Sequence, residues 1–216
     1  IHVDKRIPIA GGMAGGSADA AAALVACNQL WGLGLTLEQL CQIGRTLGAD
    51  VPACIMGGMT LGQGRGDRLT SLLDPDQSLW PCHYWVMARA HHGLSTPEVF
   101  RTLDQLREGG VPAQLSDAER AALCADTDTL ASVLCNDLTA PALHLYPELA
   151  TTIHDAKDAG ACAAILSGSG PTIAVLARSR EHADELAEVL GTSSEVSAVL
   201  PTSGPAVGAI VEEEES

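Results

Sequence analysis

Pro8-Ile9-Ala10-Gly11-Gly12-Met13-Ala14-Gly15-Gly16-Ser17-Ala18-Asp19 is the stretch on which the reading of the chain turns. Four of the six residues from Gly11 to Gly16 are glycine, so the backbone there can adopt positive φ and approach a ligand with no Cβ in the way. The composition then becomes Ala-rich through Ala26, a strong helix former, with Ser17 placed to cap its N-terminus and Asp19 in the first turn. A glycine cluster opening into a helix presents unpaired main-chain N–H groups and the positive end of the helix dipole, which together bind anions. The spacing is neither Gly-x-Gly-x-x-Gly nor Gly-x-x-x-x-Gly-Lys-Ser/Thr, so a dinucleotide fold and a P-loop both fit poorly. A bare strand-to-helix turn would not need so many glycines. Working outward, Ile1–Ile7 alternates loosely as a strand entering the loop.

Composition limits what such a loop could hold. The 216 residues carry a formal net charge of -15, which repels a nucleic-acid backbone. An anionic small ligand must therefore be gripped locally, by amides. No unbroken apolar run approaches the roughly 20 residues of a membrane helix. Seven cysteines, Cys27, Cys41, Cys54, Cys82, Cys124, Cys135 and Cys162, are scattered with no Cys-x-x-Cys spacing. That pattern argues against a disulfide framework or structural zinc and suits a reducing cytoplasm. His91 and His92 are adjacent, point apart and read as solvated.

Further along, Thr36 and Gln39 form a capping box for a helix that runs to about Leu47 and ends at Gly48. Leu47–Pro52, Leu-Gly-Ala-Asp-Val-Pro, puts Asp50 in a turn before a short apolar segment. Residues 57–69 are glycine-rich and read as irregular strands and turns. His83–Ala90 reads as a buried strand, and the domain boundary is expected near Ser78–Pro81. Thr96-Pro97-Glu98 starts a helix, Ser116 and Glu119 repeat the capping box, and Pro147–Ala159 reads as a helix closed by Gly160. Strands at Ala161–Leu166 and Thr172–Ala177 flank the turn Ser167-Gly168-Ser169-Gly170-Pro171. A helix at Arg180–Leu190 and a strand near Val196–Leu200 complete a split βαβ, ferredoxin-like order. The expected domains are 1–80, 81–211 and an acidic, disordered tail at 212–216.

The glycine loop resembles the second motif of the galactokinase, homoserine kinase, mevalonate kinase and phosphomevalonate kinase (GHMP) superfamily, Pro-x-x-x-Gly-Leu-Gly-Ser-Ser-Ala. Met13 stands where leucine is usual, and Ala14 replaces a glycine. Gly168-Ser-Gly-Pro-Thr172 resembles the third motif. Within the superfamily the closer resemblance is to the 4-diphosphocytidyl-2-C-methyl-D-erythritol kinases of the non-mevalonate (MEP) isoprenoid pathway. Lys5-x-Ile7-Pro8, Gly15–Asp19, Leu47–Pro52, Gly64–Asp67, Leu94–Phe100, Asn136–Leu138 and Leu166–Thr172 carry it.

That resemblance implies an α+β, two-domain fold: part of a ribosomal-protein-S5-like N-terminal domain, then a ferredoxin-like C-terminal domain. It implies ATP and Mg²⁺, a small-molecule acceptor, no nucleic acid or membrane partner, and a monomer or homodimer. Asp50 matches the aspartate that accepts or orients the proton of the attacking hydroxyl. Pro8, Ile9, Ala10, Gly11, Gly12, Met13, Ala14, Gly15, Gly16, Ser17 and Ala18 would hold the nucleotide. Ser17 could donate to a phosphate oxygen or approach Mg²⁺, or it could simply cap the helix. Ser169, Gly170 and Thr172 would close over the substrate, although Gly-Ser-Gly-Pro is also a good β-turn. Thr96 matches a substrate-side loop and is equally well a helix cap, while Asn136 and Asp137 match a segment read as structural. The family's first motif supplies a lysine that pairs with the catalytic aspartate. Lys5 matches a different position, so the chain is expected to be the later part of a longer protein. Other readings are a kinase acting on homoserine or a mevalonate-type alcohol, or an inactive nucleotide-binding remnant.

Overall fold

The computed structural model describes residues 2–8, 11–74, 76–107 and 115–212. They fall into two compact units, one holding residues 2–8, 14–74, 76–80 and 205–212, the other residues 11–13, 81–107 and 115–204. Ile9, Ala10 and the end of the acidic tail, 213–216, lie outside the described residues.

The first unit is built on three helices. α1 (Gly15–Leu30) begins at Ala14, whose left-handed φ of 50° and ψ of 25° turn the chain into the helix. The Ala18 N–H closes the first turn on the Ala14 carbonyl at 3.0 Å. Ser17 is therefore the third residue of the helix and not its cap, and Asp19 falls in the second turn. α2 (Leu37–Leu47) has the expected reciprocal capping box between Thr36 and Gln39. α3 (Val51–Met56) is a short helix with proline in its first turn. Ala21, Leu40, Cys41, Val51 and Ile55 form the core of this unit. Gly44 sets how closely α2 meets α3, since a Cβ there would lie 2.9 Å from Val51 Cγ1 and 3.1 Å from Ile55 Cδ1. β1 (Thr60–Gln63) and β2 (Arg68–Ser71) make an antiparallel hairpin.

Two expectations for this unit change. Residues 2–7 join no ladder, because no strand among the described residues pairs with them, and an extended segment without a partner is not a strand. Residues 205–211, expected with the second domain, lie in the first unit together with Glu212. There the Gly58 N–H donates to the Ala206 carbonyl (2.7 Å) and the Ala209 N–H to the Cys54 carbonyl (3.0 Å).

The second unit is a four-stranded antiparallel sheet: β3 (His83–Ala90), β4 (Ala163–Leu166), β5 (Thr172–Ala177) and β6 (Val196–Gly204), in the order β4-β5-β3-β6. This is the ferredoxin-like order. Between β3 and β4 run α4 (Thr96–Leu106), α5 (Asp117–Leu123), α6 (Thr127–Val133), α7 (Thr139–Leu145) and α8 (Leu149–Asp158), and α9 (Arg180–Gly191) joins β5 to β6. Val86, Ala88 and Ala90 of β3 and Ile173, Val175 and Ala177 of β5 share one face. Leu149 and Ala156 of α8 and Leu186 and Leu190 of α9 cover it. β5 is buried along its whole length, as an interior strand should be. No helix among the described residues is long and apolar enough to cross a membrane.

Candidate active site

In the first unit the chemistry gathers at the N-terminal turn of α1. Among the described residues the N–H groups of Gly15, Gly16 and Ser17 find no acceptor. Gly16 faces open space, with no atom within 4 Å of where a Cβ would sit. The Ser17 hydroxyl lies 3.9 Å from the corresponding point on Gly48, so the Gly48–Asp50 turn runs past this end of the helix. Asp50 occupies the cap position of α3 yet caps nothing. Its φ of -85° and ψ of -12° are helical, and its side chain bonds to no helix amide. A capping aspartate takes extended backbone angles and accepts from the second or third helical N–H. Asp50 is exposed; its main-chain carbonyl accepts the Cys54 N–H (3.2 Å), but its carboxylate makes no hydrogen bond or ion pair with any described residue. Its charge reaches Cys54, one turn along α3, whose thiol is pushed up first by burial and then by the Asp50 carboxylate. Lys5 pairs with Asp19, and its Nζ lies 3.1 Å from where a Cβ on Gly15 would be. A cation thus sits at the same helix end, which the sequence alone had not assigned to the site. Pro8 precedes the loop, and Ala18 lies partly buried in the second turn of α1.

The second unit holds the front of the glycine loop. Gly12, at φ 69°, lies against the Ser167–Gly170 turn so closely that a Cβ would come within 2.6 Å of the Ser167 carbonyl oxygen and 2.7 Å of that of Gly170. The Ser167 hydroxyl donates to the Gly12 carbonyl (2.9 Å). The two glycine-rich segments therefore touch backbone to backbone. Ser169, nearly buried, shares a 2.7 Å hydroxyl–hydroxyl bond with Thr96. Thr96 is thus the first residue of α4, its hydroxyl turned to the turn, while Ser95 takes the cap position without a capping bond. Gly170 has φ 78°. Thr172 is fully buried in β5, its hydroxyl without a partner among the described residues. Asn136 reaches the turn with its side-chain amide, which donates to the carbonyls of Leu166 (2.9 Å) and Gly168 (2.8 Å). His91 and His92 are exposed. Among the described residues no three His, Cys, Asp or Glu side chains gather to hold a metal ion.

The first unit thus offers main-chain amides at the N-terminal turn of α1 and an exposed carboxylate, and the second offers a glycine turn on a ferredoxin-like sheet. The chain belongs to the GHMP kinase family: residues 1–58 match the GHMP kinases N terminal domain and residues 120–197 the GHMP kinases C terminal domain. Its relatives narrow the class. The chain is 47% identical, over 100% of its length and 70% of the relative's, to the 4-diphosphocytidyl-2-C-methyl-D-erythritol kinase of Nocardia farcinica. It is 46% identical, over 98% of its length and 70% of the relative's, to that of Streptomyces coelicolor. A crystal structure of 4-(cytidine 5'-diphospho)-2C-methyl-D-erythritol kinase aligns with a TM-score of 0.75 at 30% identity, covering 93% of this chain and 68% of that one. A homoserine kinase from Cytophaga hutchinsonii aligns with a TM-score of 0.68 at 22% identity, over 95% of this chain and 69% of that one, and shares the fold. The particular group is that of the 4-diphosphocytidyl-2-C-methyl-D-erythritol kinases.

Proposed function

We propose that the chain transfers the γ-phosphoryl group of ATP to the 2-hydroxyl of 4-diphosphocytidyl-2-C-methyl-D-erythritol in isoprenoid precursor synthesis. Residues 8–18 bind the polyphosphate. The N–H groups of Gly15, Gly16 and Ser17, without an acceptor among the described residues, and the dipole of α1 supply positive potential in a chain of net charge -15. Asp50 accepts or orients the proton of the attacking alcohol. Phosphoryl transfer depends on positioning and charge neutralisation more than on covalent help, so one placed carboxylate beside amide donors is a sensible minimum for the protein to supply. Ser169, Gly170, Thr172 and Thr96 shape the acceptor side. Mg²⁺ is held in such enzymes largely by phosphate oxygens with one or two protein oxygens. Ser17 Oγ, a hard oxygen in the first turn of α1, would be the protein oxygen in that mode. When bound with the nucleotide, the ion neutralises phosphate charge. All seven cysteines are free, which supports a reducing, cytoplasmic setting.

The observation that carries this reading is the Asp50 carboxylate, held at a helix cap position but bonded to none of its amides. Asp50→Asn keeps the shape and removes the proton acceptor. Turnover is expected to fall by about 10²- to 10⁴-fold, with nucleotide affinity kept within a few-fold. Unchanged turnover would overturn the assignment. A panel of acceptors followed by coupled ADP detection separates the substrates, and faster turnover of homoserine or mevalonate would overturn the choice of alcohol.

A further inference from the structure

Asn136 lies between α6 and α7, and its side chain uses every polar position it has. Oδ1 accepts the Leu138 N–H at 2.9 Å. With a donor on that side, the amide orientation is assigned by the network, and the NH₂ group must face the two carbonyls of Leu166 and Gly168. The residue stands on a firm base. The Thr139 N–H bonds to the Asn136 carbonyl (3.0 Å), Asp137 pairs with Arg107 at the C-terminal cap of α4, and Leu138 packs on the core. The turn it reaches is different in kind. Gly168 is exposed at φ 56° and Gly170 sits at φ 78°, so at these two positions hydrogen bonds, not side-chain packing, define the shape. Two are internal, Ser167 N–H to the Thr172 carbonyl (2.9 Å) and Gly170 N–H to the Ser167 carbonyl (2.8 Å). Asn136 supplies two more.

That turn in turn holds the nucleotide loop. Ser167 Oγ fixes the Gly12 carbonyl. In a trans peptide the N–H of the next residue points the opposite way, so the Met13 N–H is directed away from the turn, where no described residue accepts it. We infer that Asn136 is a positioning residue for nucleotide binding: it holds the Ser167–Gly170 turn, which through Ser167 sets the aim of the Gly12–Met13 peptide. This deepens the kinase reading and rests on it.

The test is a double-mutant cycle on the full chain, with the affinity for a non-hydrolysable ATP analogue plus Mg²⁺ as readout. Asn136→Asp keeps the shape and the Leu138 bond but sets a carboxylate oxygen against two carbonyl oxygens. It should weaken binding by about 10- to 100-fold, by analogy with the loss of a partner that orients a metal ligand. Ser167→Ala should weaken it less, and the double variant should bind no worse than Asn136→Asp alone, because both act through one contact. Thermal melting of the single variants should stay close to that of the parent. Wild-type affinity in Asn136→Asp, or losses that simply add, would overturn the inference, and should Asn136→Asp fail to fold, Asn136→Ala takes its place in the cycle. A second measurement needs no nucleotide: the backbone amide resonances of Gly11, Gly12 and Met13 should shift in the unliganded Asn136→Asp chain, and unmoved resonances would overturn the inference. An unsubstituted chain that fails to bind the analogue would refute the kinase reading instead, with the resonance experiment still deciding the structural link.

Discussion

Alanine at position 12 should cost the protein its nucleotide before it costs the protein its fold. Gly12 sits at φ 69°, where an L-residue is disfavoured by about 1–2 kcal/mol. Its new Cβ would also stand 2.6 Å and 2.7 Å from two carbonyl oxygens of the Ser167–Gly170 turn, well inside van der Waals contact. Overpacking of this kind costs about 1–3 kcal/mol. Both obstacles are main chain, and the turn that carries them is tied down by Asn136 on one side and by its own bonds to β5 on the other. The segment free to yield is the glycine loop. Lifting it off the turn relieves the strain and breaks the Ser167–Gly12 bond, so the total of about 2–5 kcal/mol is an upper bound on lost stability and reappears as lost preorganisation for the ligand. Even its lower end corresponds to roughly 30-fold weaker binding. Titration calorimetry with a non-hydrolysable ATP analogue measures that loss, and thermal melting by circular dichroism shows whether the fold survives. Wild-type affinity in Gly12→Ala would refute the reasoning, since it would mean that the docking of the two glycine segments has no bearing on the ligand.

Gly16→Ala should behave in the opposite sense in the free protein, because its Cβ meets nothing and alanine is the better helix former by up to about 1 kcal/mol. Melting temperature should hold or rise while nucleotide affinity falls, and unchanged affinity would count against phosphate approaching that face. Gly44→Ala should destabilise the first unit by about 1–3 kcal/mol by forcing a methyl into Val51 and Ile55, read as a lowered denaturation midpoint. His83 is buried at the start of β3. Burial pushes its pKa down, and the Asp126 carboxylate opposes this only in part. A depressed folded pKa means that the unfolded chain takes up the proton first, so full stability holds above the ordinary histidine value of about 6.5 and declines as pH falls through it towards the lower folded value. Denaturation between pH 7 and 5 should show that slope, and His83→Gln should flatten it.

What could be read from the chain depended on whether the signal was local. The capping boxes at Thr36 with Gln39 and Ser116 with Glu119 are reciprocal in the structure because both partners lie within one turn. β3 and β5 lie where the segments His83–Ala90 and Thr172–Ala177 read as strands. The helix at Ser17 was misplaced because a good capping residue stood close to a left-handed alanine, and backbone angles outweighed side-chain preference. α6 and α7 are seven residues each, too short for periodicity to show, and Pro141 inside α7 reads as a breaker. The glycine loop and Asp50 were legible as candidates from residue type and neighbours. The bracing of that loop was not: Gly12 and Ser167 are 155 positions apart, and no pattern along the chain announces a bond between a serine hydroxyl and a glycine carbonyl. Asn136 carried only a short motif, with nothing in it to say which carbonyls its amide would find. The return of residues 205–212 to the first unit was equally invisible, since it rests on glycines at 57 and 208 meeting main chain to main chain.

A crystal structure with a non-hydrolysable ATP analogue and Mg²⁺ bears most directly on whether main-chain amides, in so acidic a chain, hold the polyphosphate. The expected result is phosphate oxygens within hydrogen-bond distance of the N–H groups between residues 11 and 17, with the Asp50 carboxylate still free of the α3 amides and turned to the terminal phosphate. A nucleotide bound elsewhere, or an Asp50 side chain folded back to cap α3, would contradict it.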